Sequence, residues 1–216
     1  MLLAESLLLC IYPDEGRPLL VATAVDVAVA GAVMAELALS GHVRLGEKGE
    51  TSVKKGKITV NTDLAPPTDP LLVRGLEFIA TSHWKTPSSV LQVAQSDWRQ
   101  AVRSRLVAAE ILSDQRGSIL GIPTHHWRVI DTRPRTELLD RLDAVLFNGA
   151  TADPETATLA GLLYATGITV PVMKRGRLVE AKPLKLAAKA YCEQSWPATA
   201  TLTALQVLRA AAASGG

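Results

Sequence analysis

The chain alternates long apolar stretches with short polar breaks, and the apolar spacing is helical far more often than strand-like. Leu2 to Ile11 reads as a short helix, Asp14 to Pro18 as a turn, and Leu19 to Ala22 as a brief extended link. Thr23 is a good N-cap for a long helix ending near Ser40, with Gly41 just past its end. Val43 to Leu45 and Lys57 to Val60 predict strands flanking the polar segment Gly46 to Gly56, a solvated hairpin. Beyond Leu64-Ala65-Pro66-Pro67, Asp69 to Thr81 predicts a capped helix, Pro87 to Gln95 another, and Asp97 to Leu112 a third of about four turns. Ser113 to Ile130, with Gly117, Gly121 and Pro123, predicts a second hairpin. Thr136 to Ala212 is helical, with breaks at Gly149 to Pro154, Gly167 to Gly176 and Pro197. The expected fold is mainly α: a single globular helical domain over residues 1–213 with two short β-hairpins, and a frayed tail at 214–216.

Composition is compatible with that fold. At 216 residues, 48% hydrophobic and 20% charged, the chain can bury a sizeable core without disulfides or metal. Cys10 and Cys192 lie far apart inside apolar stretches, where a free thiol behaves as a small hydrophobe, so a reducing compartment is expected. Met1 to Ile11 carries Glu5, lacks a basic start and is too short to span a bilayer. Val21 to Leu39 is interrupted by Asp26 and Glu36 and suits a buried globular helix. The expectation is a cytoplasmic protein that meets a membrane, if at all, from its surface.

A net charge of only +2 argues against a general nucleic-acid coat, so no nucleic acid is expected as a partner. Charge is nevertheless clustered, at Arg99, Arg103, Arg105 and Arg116 and again at Arg128, Arg133, Arg135 and Arg141.

Helical projection singles out a few of these polar residues. On the long helix Val25, Val29, Ala32 and Val33 form one stripe with Glu36 in its middle; on the later helix Trp98, Val102, Leu106, Ala109 and Leu112 form another that includes Arg105. Two inward charges need partners, and a bidentate pair between Arg105 and Glu36 would satisfy both. Arg99 and Arg103, four residues apart, fall together on the flank of that helix. They form either a fork suited to phosphate or sulfate or a solvated pair that repels itself. Beside Arg116, the apolar run around Ile119 and Leu120 fits a membrane wedge, a subunit contact or an ordinary core-facing strand.

Signals for other chemistry are weak. His125-His126 has no third ligand at a recognisable spacing, and strand alternation would point the two rings to opposite faces, so no metal is expected. The sequence holds no glycine-rich phosphate loop, nucleophile elbow or zinc-type cysteine spacing, so neither catalysis nor a cofactor is expected.

Three segments in order resemble the Golgi phosphoprotein 3-like family: Leu3-Ala4-Glu5-Ser6-Leu7-Leu8-Leu9 with Asp14-Glu15-Gly16, then Gly31-Ala32-Val33-Met34-Ala35-Glu36-Leu37-Ala38-Leu39, then Val102-Arg103-Ser104-Arg105-Leu106 leading to Ile111-Leu112-Ser113-Asp114. The resemblance covers most of the chain and weakens after about Asp140. It implies a mainly helical, non-enzymatic domain that binds phosphatidylinositol 4-phosphate in a basic pocket and, in eukaryotes, recruits glycosyltransferases to Golgi membranes. The family's pocket uses a tryptophan and an arginine around the second helix and two arginines on the Val-Arg-x-Arg-Leu helix. Arg103 occupies one of the latter positions; the others fall on Gln100, with Arg99 adjacent, and on Val21 and Ala30. The chain begins close to the first core helix, without the acidic extension of eukaryotic members, and is similar to the bacterial branch.

The resemblance thus implies a peripheral membrane adaptor whose partner is an anionic phospholipid headgroup met by Arg99, Arg103 and Arg116, with Ile119 and Leu120 as a membrane or oligomer contact. Homo-oligomerisation and protein clients are further expected partners. The competing readings are a protein-interaction scaffold and a winged-helix-like DNA binder, since a basic helix followed by a hairpin is also the order of a recognition helix and wing.

Overall fold

The computed structural model describes residues 1–13, 18–51, 53–82, 85–93, 96–119 and 122–214, with backbone alone at residues 96, 116–119 and 122–126. Among these residues the order of elements is α1 (Leu3–Ile11), α2 (Ala22–Leu39), β1 (Val43–Leu45), β2 (Ile58–Val60), α3 (Pro70–Ala80), α4 (Pro87–Leu91), α5 (Ser96–Ala108), β3 (Leu112–Ile119), β4 (Ile122–Val129), α6 (Arg133–Leu146), α7 (Pro154–Thr166), α8 (Thr169–Lys174), α9 (Ala181–Gln194) and α10 (Trp196–Ser214). The fold is mainly α, and its two sheets are separate antiparallel hairpins, β1 with β2 and β3 with β4.

α2 is the central post. Every residue from Ala24 to Ala35 is buried, because α1, α3, α5, α7 and α10 cover it on all sides. The helix is long and apolar enough to cross a membrane, but 72% of it is buried inside the protein, which is the environment of a core helix. Its small residues admit close neighbours. A Cβ built on Gly31 would lie 2.1 Å from Oγ1 of Thr201, so α10 packs against bare backbone there.

Local chemistry sets the helix starts. Asp69, Thr86 and Asp153 each precede a proline, and each side chain accepts a backbone N–H of the first turn: Leu71 at 2.9 Å, Ser89 at 3.4 Å and Thr156 at 2.9 Å. Such a cap stabilises a helix by about 1 kcal/mol, and proline at the first position gives up no helical hydrogen bond. Gly167 closes α7 in the left-handed conformation at φ 81°.

Several boundaries differ from those the sequence predicts. α2 begins at Ala22 behind Val21, which has no capping side chain, rather than behind Thr23. α4 ends at Leu91, short of Gln95, which lies outside the described residues. The expected break at Gly167 to Gly176 contains α8, and Pro197 sits in the first turn of α10 instead of interrupting it. The predicted turn at 14–17 is outside the described residues.

The pair expected between Arg105 and Glu36 does not form. Arg105 donates from Nε to Oε1 of Glu5 at 2.6 Å, and its Nη1 lies 2.8 Å from Oδ2 of Asp69. Glu36 instead accepts the Leu3 N–H at 2.6 Å, while Glu5 reaches back to the Leu2 N–H at 2.8 Å. Both carboxylates therefore sit at the positive, unsatisfied N-terminus of α1, where backbone donors compete successfully for a negative charge.

In the second hairpin, Leu112 lies opposite Val129, Arg116 opposite His125 and Ile119 opposite Ile122. Its base is anchored by Leu112 and Val129, both buried in the core. The side chains of Arg116 and Ile119, and all of Leu120, lie outside the described residues. Cys10 and Cys192 are buried free thiols.

Candidate functional site

The flank of α5 that carries Arg99 and Arg103 meets three other segments: the end of α1 at Tyr12, the first turn of α2, and β4 at Trp127. Arg99 turns toward α2. Its Nε lies 3.2 Å from Oδ1 of Asp26, and its Nη1 donates to the Ala22 carbonyl at 2.9 Å. Burial pushes the Asp26 carboxyl above the usual carboxylate range, with the Arg99 and Arg103 charges pulling the other way.

Arg103 turns toward the hairpin. Its guanidinium carbon lies 4.9 Å from the Trp127 ring centroid and 5.3 Å from that of Tyr12, and its Nη2 donates to the Tyr12 hydroxyl. Two electron-rich ring faces thus hold the cation in place. Its Nε is buried and has no hydrogen-bond partner. The expected two-arginine fork is therefore divided: Arg99 is committed to Asp26 and to the α2 backbone, and Arg103 alone faces a cavity.

That cavity, of about 600 Å³, is lined by Gln100, Arg103, Ser104, Val107, Asp114 and Trp127. Gln100 and Ser104 supply neutral hydrogen-bonding groups beside the guanidinium, and Val107 and the indole supply apolar wall. Such a set can take a small anionic group on an amphipathic body.

The remaining positions implied by the family resemblance fall differently. Val21 is 71% exposed at the start of α2, whereas Ala30 is 3% exposed and belongs to the core. Tyr12 and Trp127, which hold Arg103, were not legible as site residues: they stand 91 positions before it and well after it, beyond any local periodicity. Among the described residues no group of His, Cys, Asp and Glu could hold a metal ion.

Comparison with curated proteins gives no match. A family model described as Golgi phosphoprotein 3 (GPP34) matches residues 2–208, which takes in all fourteen elements up to the last turns of α10. The chain belongs to the Golgi phosphoprotein 3 (GPP34) family.

Proposed function

We propose that this protein is a peripheral membrane adaptor of 1–213 that docks from the cytoplasmic side on anionic phospholipid, with Arg103 meeting the headgroup phosphate. The observation that carries this reading is the Arg103 guanidinium, clamped between Tyr12 and Trp127 at the wall of a cavity with polar neighbours. A guanidinium held in this way loses little conformational freedom on meeting a phosphate. Family membership supports the same partner class, with phosphatidylinositol 4-phosphate as the candidate headgroup and with protein clients and self-association as further interactions. Arg99 supports the site indirectly, by fixing α5 against α2. Chemical catalysis is not part of this function.

Co-sedimentation with neutral vesicles, vesicles containing phosphatidylglycerol and vesicles containing phosphatidylinositol 4-phosphate, at two salt concentrations, tests it. Binding to anionic vesicles that weakens with salt and is reduced by Arg103→Glu is the expected result. Absence of binding to every vesicle, or binding unaffected by Arg103→Glu, would remove the headgroup site. A preference for the phosphoinositide over phosphatidylglycerol at equal charge would identify the headgroup itself.

A further inference from the structure

A guanidinium carries five N–H groups in one plane, and at Arg103 most of them are spoken for. The Tyr12 and Trp127 rings lie against it at 5.3 and 4.9 Å, Nη2 gives a proton to the Tyr12 hydroxyl, and Nε is buried without a partner. Nη1 makes no hydrogen bond among the described residues. A ligand in the cavity is therefore offered the outer edge of the guanidinium, on the side of Nη1, while the edge at Nε is closed to it.

Positive charge at the cavity is equally limited. Among the described side chains that line it, Arg103 is the one cation. Arg99, one turn earlier, is turned away and neutralised by Asp26 at 3.2 Å. The groups beside Arg103 are neutral. Gln100, Ser104 and Val107 continue its stripe along α5 at helical spacing, and all three are exposed. Neither the Gln100 amide nor the Ser104 hydroxyl makes a hydrogen bond among the described residues, so both are open to a ligand.

We infer that the phosphate taken by this site is a diester, the singly charged link of a polyol headgroup such as that of phosphatidylglycerol, and that Gln100 and Ser104 read the headgroup hydroxyls. The inference rests on the proposed headgroup site and narrows its ligand class. A phosphomonoester carries about −1.5 to −2 charge at neutral pH and three strong acceptor oxygens. One edge of one guanidinium answers a single charge and two oxygens, so the excess would lie uncompensated beside Trp127 and Val107. A diester brings one charge and two free oxygens, which matches that edge. Headgroup hydroxyls both donate and accept, as do the Gln100 amide and the Ser104 hydroxyl.

The test uses the full chain and neutral vesicles doped with phosphatidylglycerol or with phosphatidylinositol 4-phosphate at matched surface charge. Phosphatidylglycerol should bind at least as tightly. Gln100→Arg, which adds a second cation one turn before Arg103, should move the preference toward the monoester by about fivefold, the worth of one basic residue at an anionic surface. Ser104→Ala should weaken phosphatidylglycerol binding by about two- to tenfold, one neutral hydrogen bond. Soluble competitors separate headgroup chemistry from membrane charge: glycerophosphoglycerol, a diester, should displace the protein from vesicles, and glycerol 3-phosphate, a monoester, should not at the same concentration. A wild-type preference for phosphatidylinositol 4-phosphate that depends on Arg103, or equal competition by the monoester, would overturn this inference and leave the headgroup site standing. Tighter binding of the free diester than of vesicles at equal headgroup concentration would assign the site to a soluble ligand and overturn it too. Vesicle binding that is absent, or indifferent to Arg103→Glu, would overturn the headgroup site and this inference together. Unchanged circular dichroism and melting temperature in each variant separate loss of binding from loss of fold.

Discussion

Arg105 on α5 and Glu5 on α1 meet at 2.6 Å across one hundred positions of sequence, and the same guanidinium reaches Asp69 on the far side. Because Asp69 caps α3 and Glu5 sits in the first turn of α1, a single cation ties three helices together at their ends.

Arg105→Ala should therefore destabilise the protein by about 2–3 kcal/mol. That is below the range for a fully buried pair, because the arginine side chain remains 35% exposed to solvent. Urea unfolding measures it. A loss no larger than that of Arg103→Glu would contradict the division between a structural arginine and a binding one.

Burial pushes the Glu36 carboxyl above its ordinary value of 4.5, with the Leu3 N–H opposing the shift. The folded protein then holds a proton that the unfolded chain releases more readily, so the contribution of Glu36 is greatest below the unfolded value and is lost as pH rises through the folded one. Glu36→Gln should flatten the fall in stability that begins as pH climbs past about 4.5. Unfolding curves recorded across that window check it, and identical slopes in both proteins would refute the assignment.

The Cys10 thiol is pushed up to about 12 by burial, and Cys192 is also raised by burial. Neither should react with a thiol-specific reagent in the native state, and both should react in urea at the rate of global opening. Rapid labelling of Cys10 under native conditions would mean that α1 detaches from the core.

Gly31→Ala would place a methyl group against Thr201, whose hydroxyl is buried and donates to the Pro197 carbonyl at 2.8 Å. Overpacking of this kind costs about 1–3 kcal/mol. Thr201→Ala in the same background should restore part of the loss, and a double-mutant cycle reads the coupling directly. Additive effects would mean that α10 shifts away instead of clashing.

The element order was legible in the sequence because proline, capping aspartate and glycine punctuate it at Asp69-Pro70, Asp153-Pro154 and Gly167. The partner of Glu36 was not. Helical projection assumes one buried face, and α2 has none to single out, since it is covered all round and its apolar periodicity points nowhere in particular. The same assumption placed Arg105 inward, where it is half-buried, but could not choose among Glu36, Glu5 and Asp69. At the candidate site the position of Arg103 was readable, whereas its clamp was not, because Tyr12 and Trp127 reach it only through tertiary contact.

α2 changes abruptly from open to enclosed between Thr23 and Ala24. A new side chain at exposed Val21 therefore meets little packing, while an arginine at buried Ala30 would have to arrive together with changes in several helices. Of the two positions at the start and middle of α2 to which the resemblance assigns pocket residues, one is open to single substitutions, and the other is closed by the helices around it.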